Sequence, residues 1–333
     1  MNDDAVKQAR AEVIDRYGAW TDHNVQLTPT LYTINQARRS PKLQRIVQVV
    51  HDLARKPIAD LRVLDLACLE GQYAIEFARQ GAQAVGIEGR EANIEKARLS
   101  KRVLGLDNLE LIQGDIRDLS RERNGSFDVV LCLGVLYHLN APDVFAFVES
   151  IAEVCTGIAV FDTYVSLGPK RSYDYKGKQY WGRDIREHPE TLDSSGKLAK
   201  LWSSLDNVHS TWITKRTLVK LLLRFGFTSV YECYVPLEIG KPRDRVTIVA
   251  IKGAKAKPLT NPVRFEDCGS EWPETLNPQA SWRQRKLVAL NKKIVTAFPA
   301  SWRRRTKNFL KSTGLRKARH WEPDAFFKPP EDS

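Results

Sequence analysis

Two carboxylates, Asp65 and Glu88, and the glycine between them, Gly71, are the residues whose types and spacing best suit chemistry in this chain. Asp65 interrupts a short apolar run at 63–67, and Glu88 closes a second apolar run 17 residues after Gly71. An acidic side chain at the carboxyl end of a strand can accept hydrogen bonds from both hydroxyls of a ribose. The pattern therefore predicts a nucleotide-like cofactor beside Glu88.

These residues need a strand, a tight turn, a helix and a second strand to position them. The run 63–67 is too short for an isolated helix, so it indicates a strand buried on both faces. Gly71 allows a sharp turn, and residues 73–79 have the spacing of a helix packed on a sheet. Residues 84–87 form the second strand. The alternative is an ordinary strand-helix-strand unit in which the two carboxylates only cap backbone groups.

The segment resembles the first two motifs of the class I S-adenosylmethionine-dependent methyltransferases. That family usually carries an acid, any residue, then Gly-x-Gly-x-Gly, whereas here Ala67 and Leu69 replace the first two glycines. The G-x-G-x-x-G pattern of dinucleotide oxidoreductases is absent. The resemblance implies S-adenosylmethionine as cofactor, bound in this segment by Asp65, Ala67, Gly71, Glu88 and Gly89.

Two further strands extend the resemblance. Residues 109–113 form a strand followed by Asp115 and Ile116, which resemble the family's adenine-binding step. By that resemblance, Asp115 accepts the exocyclic amine of adenine and Ile116 packs on the ring. The next strand, 127–133, ends at Leu133, which the resemblance also places beside the cofactor.

Tyr137 and His138 follow the fourth strand, where the ligands of doubly wound sheets bind. A hydroxyl acceptor must lose its proton as the methyl group arrives, and His138 is the candidate general base. Alternatively, His138 packs on the cofactor or caps the next helix. Tyr137 contacts the methionine portion of the cofactor or lines the acceptor site.

The element order and the resemblance predict an α/β fold with a Rossmann-like, doubly wound, seven-stranded sheet. An antiparallel closing strand, N-terminal helices and a basic C-terminal extension complete it. Later elements are a helix at 142–154, a strand at 158–163, a helix at 214–225 and strands at 230–235 and 245–251. The predicted domains are an N-terminal helical segment at 1–58, a methyltransferase domain at 59–253 with an insertion at about 164–210, a linker at 254–279 and a basic C-terminal extension at 280–333.

The segments outside the core of this fold carry a second set of candidates. Residues 5–17 and 30–56 look helical, and Trp20 and His23 between them are candidates for the pocket wall. Packing between helices is the alternative for Trp20. The insertion is rich in aromatic residues without a sustained period, which fits either a substrate lid or a surface loop.

The net charge of +12 is concentrated near the C-terminus. Residues 280–321 hold 13 Lys and Arg and no Asp or Glu, so the rest of the chain is close to neutral. Apolar residues recur on one helical face of this segment at Leu287, Leu290, Ile294 and Phe298. Such a segment suits an anionic membrane surface or an RNA backbone. A helical extension packed on the core, with a solvated basic face, is the alternative.

The length of 333 residues accommodates one domain with extensions. The sequence contains no run of 18 apolar residues, so we expect no transmembrane segment. The five cysteines show no metal-ligand spacing, and we expect no metal and reduced thiols. The predicted location is the cytoplasm, either free or peripheral at the membrane.

The leading hypothesis is a methyltransferase that uses S-adenosylmethionine to methylate an oxygen or nitrogen of a small molecule. Glycans and lipid-linked compounds are the acceptors that a membrane-binding tail would favour. The alternatives are an enzyme that modifies a wobble uridine of transfer RNA, and a non-catalytic interaction protein that retains the fold.

Overall fold

The computed structural model describes residues 1–238 and 240–260 of the chain. The centre of this part is a seven-stranded sheet in the order β3-β2-β1-β4-β5-β10-β9. Its strands are β1 (Arg62–Leu66), β2 (Gln83–Glu88), β3 (Leu109–Gln113), β4 (Phe127–Leu133), β5 (Cys155–Tyr164), β9 (Ser229–Glu232) and β10 (Arg245–Ile251). The predicted basic extension at 280–333 and the linker from residue 261 onward lie outside the described residues.

The sheet is doubly wound, as predicted. Strands β1 to β5 are parallel, whereas β10 runs antiparallel between β5 and β9. The strand order reverses between β1 and β4, and ligands of such sheets bind outside the carboxyl ends of the strands at that point. Val63, Leu64 and Leu66 expose no side-chain surface, which accounts for the continuous apolar run in the sequence.

Helices cover both faces of the sheet. They are α1 (Asp3–Tyr17), α2 (Pro41–Leu53), α3 (Gln72–Arg79), α4 (Glu91–Leu104), α5 (Arg121–Asn124), α6 (Asp143–Val154), α7 (Ser194–Ala199) and α8 (Lys215–Arg224). The predicted helix at 30–56 was wrong at its start, because α2 begins at Pro41. The Ser40 hydroxyl caps α2 by accepting from Leu43 N, and Pro41 occupies the first turn, where its missing N–H costs nothing.

The insertion folds into a second sheet in the order β6-β7-β8, formed by β6 (Arg171–Tyr175), β7 (Lys178–Arg186) and β8 (His209–Ile213). Lys176 and Gly177 both have positive φ, as a two-residue hairpin turn requires. These strands were not predicted, because their polar and aromatic residues show no regular alternation in the sequence.

Two other observations concern membrane and metal binding. Over residues 1–238 and 240–260, no helix has the length and apolar character needed to cross a membrane. The same residues contain no group of three or more His, Cys, Asp or Glu side chains that could hold a metal ion.

Candidate functional site

The turn after β1 has an unusual backbone. Ala67 and Leu69 take φ values of 52° and 50°, and Gly71 takes 81°. The chain therefore adopts left-handed conformations at all three positions where the methyltransferase pattern carries glycine, although two of the residues have side chains. Each such residue costs roughly 1–2 kcal/mol. Gly71 is also crowded, since a Cβ there would lie 2.9 Å from Ala97 Cβ.

Glu88 ends β2 and is almost fully buried. Its Oε2 accepts a hydrogen bond from Leu69 N at 2.9 Å, while Oε1 accepts from Arg90 N at 2.9 Å and from Asn93 Nδ2 at 3.3 Å. Burial raises the pKa of Glu88, and these donors oppose the rise. A carboxylate has about four lone-pair sites, so Glu88 retains the capacity to accept from a ligand hydroxyl.

Asp65 lies on the neighbouring strand, paired in register with Gly86 of β2. It is buried and accepts one hydrogen bond, from Ala74 N at 3.2 Å. Burial raises the pKa of Asp65 to about 7, and the charge of Glu88 adds to the effect. A ligand that carries a positive charge or donates a hydrogen bond would stabilise the ionised form of this buried carboxyl group.

The two carboxylates line one cavity of about 560 Å³ at the carboxyl edge of the sheet. This volume is in the range of small-molecule and cofactor sites. Nine of the ten predicted site residues line it, namely Asp65, Ala67, Glu88, Gly89, Asp115, Ile116, Leu133, Tyr137 and His138. The tenth, Gly71, does not line the cavity and instead shapes the turn. The roles of all ten stay predictions.

Asp115 has a partner that the sequence analysis did not anticipate. Its two oxygens accept from Arg117, at 2.8 Å from the backbone N and at 2.9 and 2.6 Å from the guanidinium. Burial raises the pKa of Asp115, but the bonds from Arg117 outweigh burial and lower it overall. Arg117 also donates to Asp206 at 2.6 Å. An adenine amine would therefore share Asp115 with Arg117.

His138 lies in a short 3-10 helix after β4, and its Nδ1 is 3.0 Å from Glu187 Oε1. Glu187 directly follows β7 of the insertion, and its Oε2 accepts from Ser204 N at 3.2 Å. Burial raises the pKa of Glu187, but the hydrogen bonds from His138 and Ser204, the charge of His138 and the neighbouring Ser210 hydroxyl together outweigh burial and lower it. The sequence analysis missed Glu187, because nothing in the sequence links it to a histidine 49 residues away.

Residues 198–207, which we call the lid segment, cover part of the cavity. The guanidinium of Arg90 donates to the carbonyls of Leu198, Lys200, Ser203 and Ser204 at 2.9–3.2 Å. Leu205 packs against the backbone of Gly89, where a Cβ would come within 2.6 Å of its Cδ1. Gly89 is therefore needed for the lid segment to lie close to the strand end.

Aromatic rings form another part of the cavity wall. Tyr137 and Tyr164 meet edge to face with centroids 5.0 Å apart. The guanidinium of Arg245 lies over both rings, at 5.1 and 4.7 Å from their centroids, and donates to Asp162 through Nε at 2.7 Å. The Tyr137 ring in turn packs against His138, with ring centroids 4.2 Å apart.

The segment before the sheet contributes His23, which lines the cavity as predicted. Trp20 is buried but is not among the residues lining this cavity, and Arg10 lies 6.0 Å from its ring centroid. Trp20 therefore packs within the N-terminal segment, which was the alternative considered for it.

Comparisons with known proteins agree with the fold. Residues 63–156 match a family model described as a methyltransferase domain. A ubiquinone biosynthesis O-methyltransferase of Acinetobacter baumannii is 30% identical over 156 residues, which are 45% of this chain and 59% of that protein. A 23S rRNA (uracil(1939)-C(5))-methyltransferase of Shewanella halifaxensis is 34% identical over 107 residues, 32% of this chain and 24% of that protein.

Among solved structures, the N-terminal domain of EvdMO1, crystallised in the presence of SAH and D-fucose, has the same fold. Its TM-score is 0.58 at 22% identity, with 77% of this chain and 98% of that chain covered. The domain around residues 63–156 therefore belongs to the class I S-adenosylmethionine-dependent methyltransferase superfamily. The chain spans less than two thirds of the length of the two curated relatives.

Proposed function

We propose that the chain is a methyltransferase that moves a methyl group from S-adenosylmethionine to a hydroxyl oxygen of a small molecule. The observation that carries this proposal is the His138–Glu187 pair, 3.0 Å apart, at the cavity that also contains Asp65 and Glu88. The O-methyltransferase names of the relatives from Acinetobacter support the choice of oxygen over nitrogen.

The residues in the cavity suit the cofactor. Glu88 is held by backbone donors and keeps capacity to accept from a ribose hydroxyl, while Ile116 offers an apolar surface for adenine. Asp65, with one hydrogen bond and little exposure, suits the ammonium of the amino-acid end. When bound, the cofactor supplies an electrophilic methyl group on a sulfonium.

His138 would act as the general base toward the acceptor hydroxyl. Because Glu187 accepts at Nδ1, the neutral ring carries its proton there and leaves Nε2 free to take a proton. Glu187 then stabilises the imidazolium that forms. Positioned bases of this kind contribute roughly 10²–10⁴-fold to rate. The Tyr137–Tyr164 wall and the lid segment would exclude water and hold the acceptor.

No contact among the described residues supports two partners that the sequence suggested, namely RNA and an anionic membrane surface. RNA binding and membrane binding were both predicted from residues 280–321, which lie outside the described residues. Glycan and lipid-linked acceptors both satisfy the base chemistry, so we extend the proposal to small hydroxylated molecules as a class.

The cofactor is tested first, by calorimetry on the full chain with SAH (S-adenosylhomocysteine, the cofactor without its methyl group) and with NAD. We expect SAH to bind and NAD not to bind, and Glu88→Gln to weaken SAH about tenfold or more, since a carboxylate hydrogen bond contributes about 1.5–3 kcal/mol. Asp118→Asn, which changes a carboxylate that does not line the cavity, serves as the control. Absence of SAH binding by the wild-type chain would refute the proposal.

The base is tested by radiolabelled methyl transfer to a panel of phenols, sugars and prenylated alcohols. His138→Gln should lower kcat by about 100-fold or more, with SAH affinity unchanged. Glu187→Gln should lower kcat less than His138→Gln does, and it should shift the pH-rate profile. Full activity of His138→Gln would remove the base from the mechanism without affecting the cofactor assignment.

A further inference from the structure

Three donor side chains lie next to one another in the cavity wall, namely those of His23, Lys42 and Tyr73. The rings of His23 and Tyr73 meet edge to face with centroids 5.5 Å apart. Lys42 Nζ lies 5.8 Å from the centroid of the Tyr73 ring. The three side chains come from the N-terminal segment, from α2 and from α3, so only the fold brings them together.

His23 is 6% exposed, and its Nδ1 accepts from Gln72 N at 3.1 Å. This bond assigns the ring proton to Nε2. Burial lowers the pKa of His23 to about 3, so the ring is neutral at physiological pH. Its Nε2–H finds no acceptor among residues 1–238 and 240–260.

The donor groups of Tyr73 and Lys42 also lack an acceptor within the described part of the chain. Tyr73 is 3% exposed, and its hydroxyl makes no hydrogen bond within the described part of the chain. The half-buried ammonium of Lys42 likewise forms no hydrogen bond or ion pair with any described residue. The polar atoms of His23 and Tyr73 are not fully enclosed by protein, so a ligand in the cavity can reach these donors. Three neighbouring donors, one of them charged, call for an anionic ligand rich in acceptors.

We propose that His23, Lys42 and Tyr73 form a carboxylate subsite that binds the carboxylate of the amino-acid end of S-adenosylmethionine. The inference rests on the proposed function and extends it to the residues that orient the cofactor. Asp65 is close enough for the charge of Lys42 to act on it, which places an acceptor for the cofactor ammonium beside the three donors. A carboxylate on the methyl acceptor would have the same chemistry, and the experiment separates the two sources.

The test is calorimetry on the full chain with SAH and with decarboxylated SAH, which lacks only the carboxyl group. Wild type should bind SAH about tenfold or more tightly than the analogue. Lys42→Met should weaken SAH by about tenfold and leave the analogue within about twofold, so that the preference for SAH disappears. Tyr73→Phe, which keeps the packing of the ring, should show the same pattern.

Lys101→Met, in the last turn of α4 and away from the cavity, is the matched control and should change neither affinity. Equal losses for SAH and the analogue, or unchanged SAH binding in both variants, would overturn the subsite, and the second result would leave the donors to an acceptor carboxylate. If wild type binds the two ligands equally, only the subsite fails. If it binds neither, the proposed function fails with it.

Discussion

Glu70 and Lys96 form an ion pair at 3.6 Å in which neither side chain exposes any surface. Glu70 also accepts from the backbone N of Thr21, Asp22 and His23 at 2.7–3.2 Å. Lys96 donates to the carbonyl of Ala19 at 2.8 Å. The pair therefore fastens the N-terminal segment to the turn after β1 and holds His23 in the cavity wall.

Breaking this pair should be costly. Glu70→Gln leaves the Lys96 ammonium buried without a counter-charge, and we expect a loss of about 3–5 kcal/mol in the free energy of unfolding. Lys96→Met added to Glu70→Gln should cost less than the sum of the two single changes, because no charge is then left unpaired. Urea unfolding measures both. Asp4→Asn, which breaks the exposed Lys7–Asp4 pair, should change stability by less than about 1 kcal/mol. If Glu70→Gln lowered the free energy of unfolding by no more than Asp4→Asn does, the Glu70–Lys96 pair would not have this structural role.

Asp65 should make stability depend on pH in an unusual direction. Burial raises its pKa from 3.8 to about 7, so the folded state holds a proton that the unfolded state releases between these values. Stability therefore falls as pH rises from about 4 to 7. Asp65→Asn should be as stable as wild type near pH 4 and more stable above pH 7, by up to about 4 kcal/mol.

Thermal melts at pH 4 to 8 measure this difference. Asp128→Asn is a control of opposite sign: burial raises the pKa of Asp128, but the bonds from Lys56 and from Arg62 N, together with the charge of Lys56, outweigh burial and lower it. Its stabilising contribution is present above the unfolded pKa and is lost as pH falls, so the variant should be less stable than wild type at neutral pH. A pH-independent effect of Asp65→Asn would show that Asp65 is not buried as described.

Gly71 should tolerate alanine poorly. Gly71→Ala adds the strain of a positive φ of 81° and a contact of 2.9 Å with Ala97 Cβ, so we expect a loss of about 2–4 kcal/mol. Gly105→Ala has a φ of 64° but meets no atom within 4 Å, and it should cost only about 1 kcal/mol. Chemical denaturation of the two variants separates the contact from the strain, and equal losses would exclude the contact as a cause.

Arg90 should control the lid segment. Arg90→Lys keeps the charge but loses the planar fork that reaches four carbonyls, so amide exchange at residues 198–204 should accelerate by about tenfold. SAH should also dissociate faster, as stopped-flow measurement can show. Arg121→Lys, which loses contacts to Glu153 O elsewhere on the surface, should leave this exchange unchanged. Unaltered exchange in Arg90→Lys would mean that other contacts hold the lid segment.

The central strands could be predicted from sequence because burial on both faces leaves a simple signature. The bounds predicted for β3, β4 and β10 match the structure, since each is a short run dominated by apolar residues. The small sheet of the insertion has no such signature. The predicted helix at 30–56 began too early, because Ser40 and Pro41 form the capped start of α2.

The conformation of the turn after β1 also shows how far a motif can depart from its family pattern. Ala67 and Leu69 adopt the positive φ values that glycine would take more easily. The sequence alone showed only that Ala67 and Leu69 replace two glycines of the family pattern. The structure shows that the hydrogen bonds of the turn, such as Cys68 N to Ile87 O at 2.9 Å, hold the backbone path regardless.

The amino-acid sequence by itself determined the doubly wound sheet and the gathering of nine predicted residues at one cavity, because the carboxyl ends of parallel strands meet at one edge. Only the tertiary structure placed Glu187 beside His138, Arg90 under the lid segment and Lys42 beside Tyr73. These partners come from loops and helices distant along the chain. These contacts depend on how whole helices, strands and loops pack against one another, and local patterns of hydrophobicity do not predict that packing.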